Sequence, residues 1–94
     1  MADQPAQRQW GKHFSETEAI AFDLCAHIFR RGKTEGRYAI EVEELPRAMG
    51  LNPPDLQRAL ELAADRDWIE YVGLLLALRA AGIYAAKTAL DLPR

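Results

Sequence analysis

Three scarcities in this 94-residue chain narrow the kinds of protein it can be. Its single cysteine, Cys25, gives no internal disulfide and no cysteine spacing for a metal, which favours a reducing compartment. A net charge of −2 gives no bulk attraction for nucleic acid or for an anionic membrane. The longest apolar run, residues 71–78, is too short to span a bilayer. These features predict a soluble, cytoplasmic protein with no membrane partner.

The sequence also lacks the residue combinations that carry enzyme chemistry. It contains no phosphate loop, no paired carboxylates, no nucleophile beside a base and no metal-ligand cluster, so we predict no catalytic residues, no metal, no cofactor and no small-molecule substrate. Asp23 and His27 are four residues apart, but without further ligands they indicate a local pair on a helix. Cys25 lies among apolar residues and is expected to be a small buried side chain.

The polar N-terminus differs from the rest of the chain. Residues 1–14 contain Pro5, Gly11 and three glutamines without periodicity, which is typical of an arm that is flexible or docks on a domain. Trp10 and Phe14 are the large aromatic side chains of this arm, and we expect them to pack on the domain. The remaining residues, 15–92, are predicted to form a single domain.

A helix-start signal follows the arm. Ser15 and Glu18 have the spacing of a capping box, in which each side chain accepts a hydrogen bond from the other residue's backbone N–H. Apolar residues then recur at helical spacing, which predicts a first helix that lies across the core. Arg30 and Arg31 suit the negative end of this helix, and Gly32 suits the position just after it.

A short strand at residues 38–40 and a second helix within residues 41–49 are predicted next. Pro46 lacks the N–H that would bond to the carbonyl four residues earlier, so we expect this helix to begin at Glu43 or Glu44. The residues expected to face the core from it are Leu45, Ala48 and Met49.

The densest pattern begins at Gly50 and predicts a turn and a third helix over residues 53–66. Asn52 suits the N-cap, Pro53 suits the first helical position, and Asp55 places a negative charge at the positive end of the helix. The predicted buried stripe is Leu56, Ala59, Leu60 and Ala63. The side chains predicted to point outward are Gln57, Arg58, Glu61, Ala64 and Asp65.

Residues 67–78 switch to a period of two around Gly73, which predicts a β-hairpin with the shortest kind of loop. Its strands are apolar on both faces, although a small sheet covered by helices needs only one apolar face. The second face is either covered by the arm and the last helix or forms an interface, most simply that of a twofold homodimer. The residues predicted for such an interface are Trp10, Trp68, Tyr71, Val72 and Leu75. From residue 80 the pattern is helical again and ends near residue 92.

Three stretches of this chain resemble prokaryotic winged helix-turn-helix domains. Residues 40–51 (IEVEELPRAMGL) resemble their helix-turn-helix, residues 68–73 (WIEYVG) the strand after it, and residues 78–84 (LRAAGIY) the start of their last helix. The resemblance implies an α+β, mostly helical fold with three to four helices, a small antiparallel sheet and a very short wing. Arg79 departs from the family pattern, which often has a capping threonine or serine there.

The resemblance further implies a transcriptional regulator or accessory factor whose third helix enters the major groove of double-stranded DNA while the wing contacts the backbone. The residues that would contact DNA are Asn52, Gln57 and Arg58, together with the basic cluster of Arg30, Arg31, Lys33 and Arg37. The same cluster also fits a solvated helix end and loop.

The distribution of charge keeps a second function open. Residues 41–70 carry three Lys or Arg and eight Asp or Glu, a net charge of −5, and the hairpin tip has no Lys or Arg. Since DNA affinity rises with the number of phosphates that a protein neutralises, these charges oppose a simple DNA-binding mode. The alternative is a winged-helix module that binds a protein partner, or a second copy, through the apolar hairpin and the acidic third helix, with little or no DNA binding.

Overall fold

The computed structural model describes residues 15–34 and 37–91, and the predicted arm with Trp10 lies outside them. This part of the chain contains four α-helices and a small antiparallel sheet, so the predicted mostly helical α+β class is confirmed. The elements in chain order are α1 (Glu16–Arg31), β1 (Lys33–Thr34), β2 (Arg37–Glu41), a 3-10 turn (Val42–Glu44), α2 (Leu45–Met49), α3 (Pro53–Asp65), β3 (Ile69–Val72), β4 (Leu75–Leu78) and α4 (Ala80–Asp91).

The helix starts that were predicted from caps are confirmed. Ser15 Oγ accepts a hydrogen bond from the Glu18 N–H, and Glu18 Oε1 accepts one from the Ser15 N–H, each at 3.0 Å. Asn52 Oδ1 accepts a hydrogen bond from the Asp55 N–H at 2.9 Å. Gly50 turns the chain between α2 and α3 with φ +65°, a left-handed conformation that glycine adopts without a steric penalty.

The sheet has the strand order β1-β2-β4-β3, and each neighbouring pair is antiparallel. β3 and β4 form the predicted hairpin, in which a two-residue turn joins the paired residues Val72 and Leu75. Gly73 has φ +63° and Leu74 has a negative φ, the pattern of a type II′ turn. The loop is therefore as short as the sequence predicts.

The register divides the strands into an inner and an outer face, because cross-strand partners project to the same side of a sheet. The inner face, which packs into the core, carries Ile40, Ile69, Leu76 and Leu78, with Tyr71 at its end. The outer face carries Arg37, Ala39, Glu41, Glu70, Val72, Leu75 and Ala77. The outer face is thus of mixed polarity.

The core is built around α1, which packs against α3, α4 and the sheet. Leu24, Cys25 and Ile28 on α1 are fully buried. The predicted stripe of α3 is buried, and its predicted outward side chains are exposed. The buried residues of α4 are Gly82, Ala85, Ala86 and Ala89, whose small size lets this helix lie close to α1.

The predicted start of the second helix at Glu43 or Glu44 is wrong. A 3-10 turn covers Val42–Glu44, and the α-helix begins at Leu45. The Leu45 N–H donates to the carbonyl of the first residue of that turn, so this carbonyl does not need the N–H that Pro46 lacks.

The expectation that Ala48 faces the core is also corrected, and the reason for glycine at position 32 becomes clear. Ala48 is exposed instead of facing the core, because a helix of five residues turns only one side chain fully inward. Gly32 follows α1 as predicted, with φ −110°. A Cβ atom there would lie 2.5 Å from the Ala39 carbonyl oxygen and would collide with Ile40 Cγ2. Glycine is therefore needed for the close approach of α1 to β2.

Candidate interaction surfaces of α3 and the hairpin

The outer face of α3 pairs its polar side chains with one another. Gln57 Nε2 donates to Glu61 Oε2 at 3.1 Å, and Arg58 Nη2 lies 2.6 Å from Asp55 Oδ1. Asn52, the third residue of this segment predicted to contact DNA, uses its side-chain oxygen as the N-cap. All three candidate DNA contacts are therefore engaged by polar groups of their own segment.

The predicted basic cluster is split between two environments. Arg30 and Arg31 are exposed at the end of α1, and neither makes an ion pair with another described residue. Lys33 lies in β1, where its backbone pairs with that of Tyr38. Arg37 is directed across the sheet to Glu70, with Nη2 2.8 Å from Oε2. One of the four predicted cations is therefore already neutralised.

An ion-pair network lies on the outer face at the base of the hairpin, which we define as residues 67–70, 78 and 79. Glu70 accepts from Arg37 and from Arg79 Nη1, the latter at 3.1 Å. Arg79 Nε also lies 3.0 Å from Asp67 Oδ1. The outer-face alanines Ala39 and Ala77 are buried, at 6% and 1% exposed. At the hairpin base, the charged side chains of the outer face are thus paired with one another and its alanines are buried.

Arg79 also marks the start of α4, because its carbonyl accepts a hydrogen bond from the Ile83 N–H at 2.9 Å. Its own N–H donates to the Trp68 carbonyl at 2.8 Å. Where the resembling family often has a capping hydroxyl, this chain has a side chain that ties α4 to Glu70 and Asp67.

Trp68, which was predicted for an interface, is directed into the core. It is 9% exposed, and its ring centroid lies 4.8 Å from that of Phe22 on α1. The guanidinium carbon of Arg66 lies 5.5 Å from the Trp68 ring centroid. Nη2 of the same guanidinium group lies 2.6 Å from Glu18 Oε2. The tryptophan therefore joins α1 to the hairpin base and contributes no exposed apolar surface.

The hairpin tip, residues 71–75, is apolar and open to solvent. Leu74 is 82% exposed, Tyr71 55% and Val72 41%, while Leu75 is half-buried. Three of the predicted interface residues, Tyr71, Val72 and Leu75, are thus together at one end of the hairpin. Leu74 at the turn adds the most exposed side chain of the group.

A run of acidic residues borders the hairpin tip. We call Glu41, Glu43 and Glu44 the acidic turn, and all three are exposed. The Val42 N–H donates to the Leu74 carbonyl at 3.2 Å, which fixes the hairpin tip against this segment. A surface depression beside it is lined by the acidic turn together with Arg47 and Ala48.

Sequence reasoning did not select Leu74 or the acidic turn as functional residues. The signal for Leu74 was present, since a two-residue loop places the residue after Gly73 in the turn and not in the strand. The contact between the acidic turn and the hairpin tip joins positions about thirty residues apart in the chain. No local sequence pattern predicts this contact.

Cys25 and His27 on α1 have pKa values that are shifted in opposite directions. Burial raises the pKa of Cys25 to about 12, so its thiol stays protonated at neutral pH. Burial and the nearby Arg31 and Arg30 lower the pKa of His27, and Glu44 acts in the opposite direction. Within residues 15–34 and 37–91, no three His, Cys, Asp or Glu side chains are grouped so as to hold a metal ion.

No described helix has the length and apolarity needed to cross a membrane. Comparisons of this chain with protein-family models, with curated proteins and with solved structures gave no match.

Proposed function

We propose that this chain is a winged helix-turn-helix domain that binds a protein partner through its hairpin tip. The order of α2, a tight turn at Gly50, α3 and then a hairpin supports that domain type. The observation that carries the binding proposal is the exposure of Leu74 at 82%, beside Tyr71 and Val72. A tight turn holds these side chains on a fixed backbone, so binding them orders little additional chain.

The charges of α3 favour protein over DNA as the ligand. Between Pro53 and Asp65 the helix carries three carboxylates and one arginine, and that arginine is paired with Asp55. In the docking geometry of the resembling family, these carboxylates would approach phosphates, which is electrostatically unfavourable. The hairpin tip carries no cation that could neutralise a backbone phosphate.

The test compares two exposed apolar positions. Leu74→Ser removes the most exposed side chain of the hairpin tip, and Tyr84→Ser is the matched control, since Tyr84 is 76% exposed on α4. We expect proteins retained from a native cell extract by the immobilised chain to be retained equally by the Tyr84→Ser chain. The Leu74→Ser chain should retain about tenfold less, because burying a leucine side chain contributes about 1.5–3 kcal/mol. Equal retention by all three chains would contradict the proposal.

DNA binding is the second candidate function, and the exposure of Gln57 and Arg58 on α3 is the observation that favours it. Their bonds to Glu61 and Asp55 are surface pairs of the kind that contribute at most about 1 kcal/mol, so phosphates or bases could replace them. Arg30 and Arg31 at the end of α1 would add two cations.

Fluorescence anisotropy with a mixed-sequence DNA duplex at low and moderate salt tests this candidate. With three or so phosphates neutralised, log K would fall with log salt with a slope of about −3. Arg58→Ala should weaken such binding, while Arg47→Ala outside α3 serves as the charge-matched control. Lack of salt-sensitive binding at micromolar protein would eliminate DNA as the ligand.

A further inference from the structure

The hairpin tip and the acidic turn form one continuous surface. Leu75 pairs across the sheet with Val72 on one side and with Glu41 on the other, so the three side chains form a row on the outer face. The hydrogen bond from the Val42 N–H to the Leu74 carbonyl, at 3.2 Å, holds the turn of the hairpin beside the same segment. An apolar group and an acidic group are therefore adjacent and fixed relative to each other.

The carboxylates of this surface differ from those at the hairpin base. Glu70 and Asp67 are each paired with arginine at 3.1 Å or less. Among the described residues, none of the three carboxylates of the acidic turn makes an ion pair. Arg47 is the cation that lines the same depression. The charge beside the hairpin tip is thus left largely uncompensated by this part of the chain.

We infer that the partner of the hairpin tip is a basic amphipathic segment, in which large aliphatic side chains are flanked by lysine or arginine. The aliphatic side chains would pack on Leu74, Val72 and Leu75, and the cations would face the acidic turn. This inference rests on the proposed protein-binding function and adds the chemistry of the partner to it.

Each half of the surface has a separate physical role. Burial of the apolar tip supplies most of the affinity, since it removes exposed aliphatic surface from water. The carboxylates attract cationic segments and repel acidic ones, so they select the partner and raise the association rate at low salt. Screening by salt weakens the second contribution and leaves the first almost unchanged.

The test uses the full chain and three labelled synthetic peptides of ~15 residues, a length at which a helix can form on binding. All have leucine at helical spacing, and their remaining positions are lysine in one, glutamate in the second and glutamine in the third. Fluorescence anisotropy is measured at about 50 mM and about 300 mM salt, between which the electrostatic screening length shortens by somewhat more than about twofold. We expect the lysine peptide to bind tightest, and more weakly at the higher salt.

Substitutions then separate the two halves of the surface. Leu74→Ser should weaken binding of the lysine peptide about tenfold. Glu43→Lys with Glu44→Lys should weaken it by a similar factor, about tenfold or more, and should improve binding of the glutamate peptide. Asp65→Lys with Asp91→Lys makes the same change in net charge at the ends of α3 and α4, and this control should alter affinity less than about twofold.

Several results would overturn the inference, and they differ in what they leave standing. Equal binding of the three peptides, weakened in each case by Leu74→Ser, would mean that the hairpin tip binds apolar partners without selecting charge, and the proposed function would survive. The same conclusion holds if no peptide binds but Leu74→Ser still abolishes capture of protein.

A dimer that Leu74→Ser dissociates would make a second copy the occupant. If the Asp65→Lys and Asp91→Lys control lost as much affinity for the lysine peptide, the effect would come from net charge and not from the acidic turn. Failure of the proposed function itself would appear as capture that Leu74→Ser leaves unchanged.

Discussion

The two ends of the hairpin β3–β4 both carry large apolar side chains, but the fold buries them at one end and exposes them at the other. At the hairpin base, Trp68 is 9% exposed and contacts Phe22, and Glu70 receives two arginines. At the hairpin tip, Leu74 is 82% exposed. The difference lies in what covers each end, since α1 and the start of α4 pack on the base and the tip extends beyond them.

The comparison shows that apolar character alone does not identify a binding surface. Trp68 is the largest apolar side chain of the hairpin, yet it stabilises the fold. Leu74 contributes little to the core because only its carbonyl is engaged, by the Val42 N–H. Substitutions at the two ends should therefore separate stability from binding.

The largest expected effect is that of Trp68→Ala. Loss of a buried tryptophan should lower the free energy of unfolding by about 4 kcal/mol. Three residues further along the hairpin, Tyr71 in β3 is 55% exposed, and Tyr71→Ala should lower the free energy of unfolding by less than about 1 kcal/mol. Urea denaturation followed by far-UV circular dichroism measures both. Similar losses for the two variants would contradict the division between base and tip.

A smaller difference is expected between two glycines. At Gly82 a Cβ atom would collide with the Trp68 carbonyl oxygen and would lie 2.9 Å from the carbonyl carbon, so Gly82→Ala should destabilise the protein by about 2 kcal/mol. A Cβ atom added at Gly73 in the turn would have no neighbour within 4 Å. Gly73→Ala should therefore lower the free energy of unfolding by about 1 kcal/mol, because of its φ of +63° alone. Thermal unfolding of both variants measures the two losses of stability. A larger loss for Gly73→Ala than for Gly82→Ala would contradict the prediction.

Acid should weaken the contact between α1 and the end of α3, where Glu18 pairs with Arg66, and should leave the hairpin tip unaffected. Burial of Glu18 raises its pKa, but the Ser15 N–H and the Arg66 guanidinium outweigh this and hold the pKa below its usual value. A carboxyl with a lowered pKa in the folded state stabilises the protein above the unfolded value of about 4.3, and this stability is lost as the pH falls through the folded value.

The free energy of unfolding at a series of pH values tests this expectation. Stability should fall with pH below about 4.3 in the natural chain and less steeply in Glu18→Gln. Leu74→Ser serves as the comparison at the hairpin tip, where residues 72–75 have no ionisable side chain, and its pH profile should match that of the natural chain. An unchanged slope in Glu18→Gln would show that the Glu18–Arg66 pair does not stabilise the fold.

The smallest expected effect is that of Leu74→Ser on stability. Because the side chain is 82% exposed, the free energy of unfolding should change by no more than about 0.5 kcal/mol. Chemical denaturation provides the measurement. A loss of several times that size would mean that the side chain supports the fold, and the binding experiments with this variant would then need Val72→Ser in its place.

The parts of the fold that could be predicted are those whose signals are local. The capping box of Ser15 and Glu18 and the N-cap at Asn52 each involve residues three apart, and the structure has both. The stripe of α3 and the alternation around Gly73 were likewise correct. In each case, the geometry of a single helix or hairpin determines the result.

The errors occurred where burial depends on distant residues. Ala48 fits a helical stripe, but α2 is too short to bury it. Trp68 fits an exposed strand face until Phe22 on α1 is placed against it. Gly32 was correctly placed at the end of α1, but the close approach of β2 that requires glycine there is a tertiary contact.

By itself the sequence determined where α1 and α3 begin, which side chains of α3 face outward and how short the hairpin turn is, because caps, periodicity and turn residues act within a few positions. Only the tertiary structure decided which apolar residues of the hairpin are buried and which carboxylates are paired. Glu70 is neutralised by Arg37, thirty-three positions earlier, while the acidic turn meets the exposed end of the hairpin through the Val42–Leu74 hydrogen bond. Such contacts depend on how the helices pack on the sheet, and no local pattern of residues encodes them.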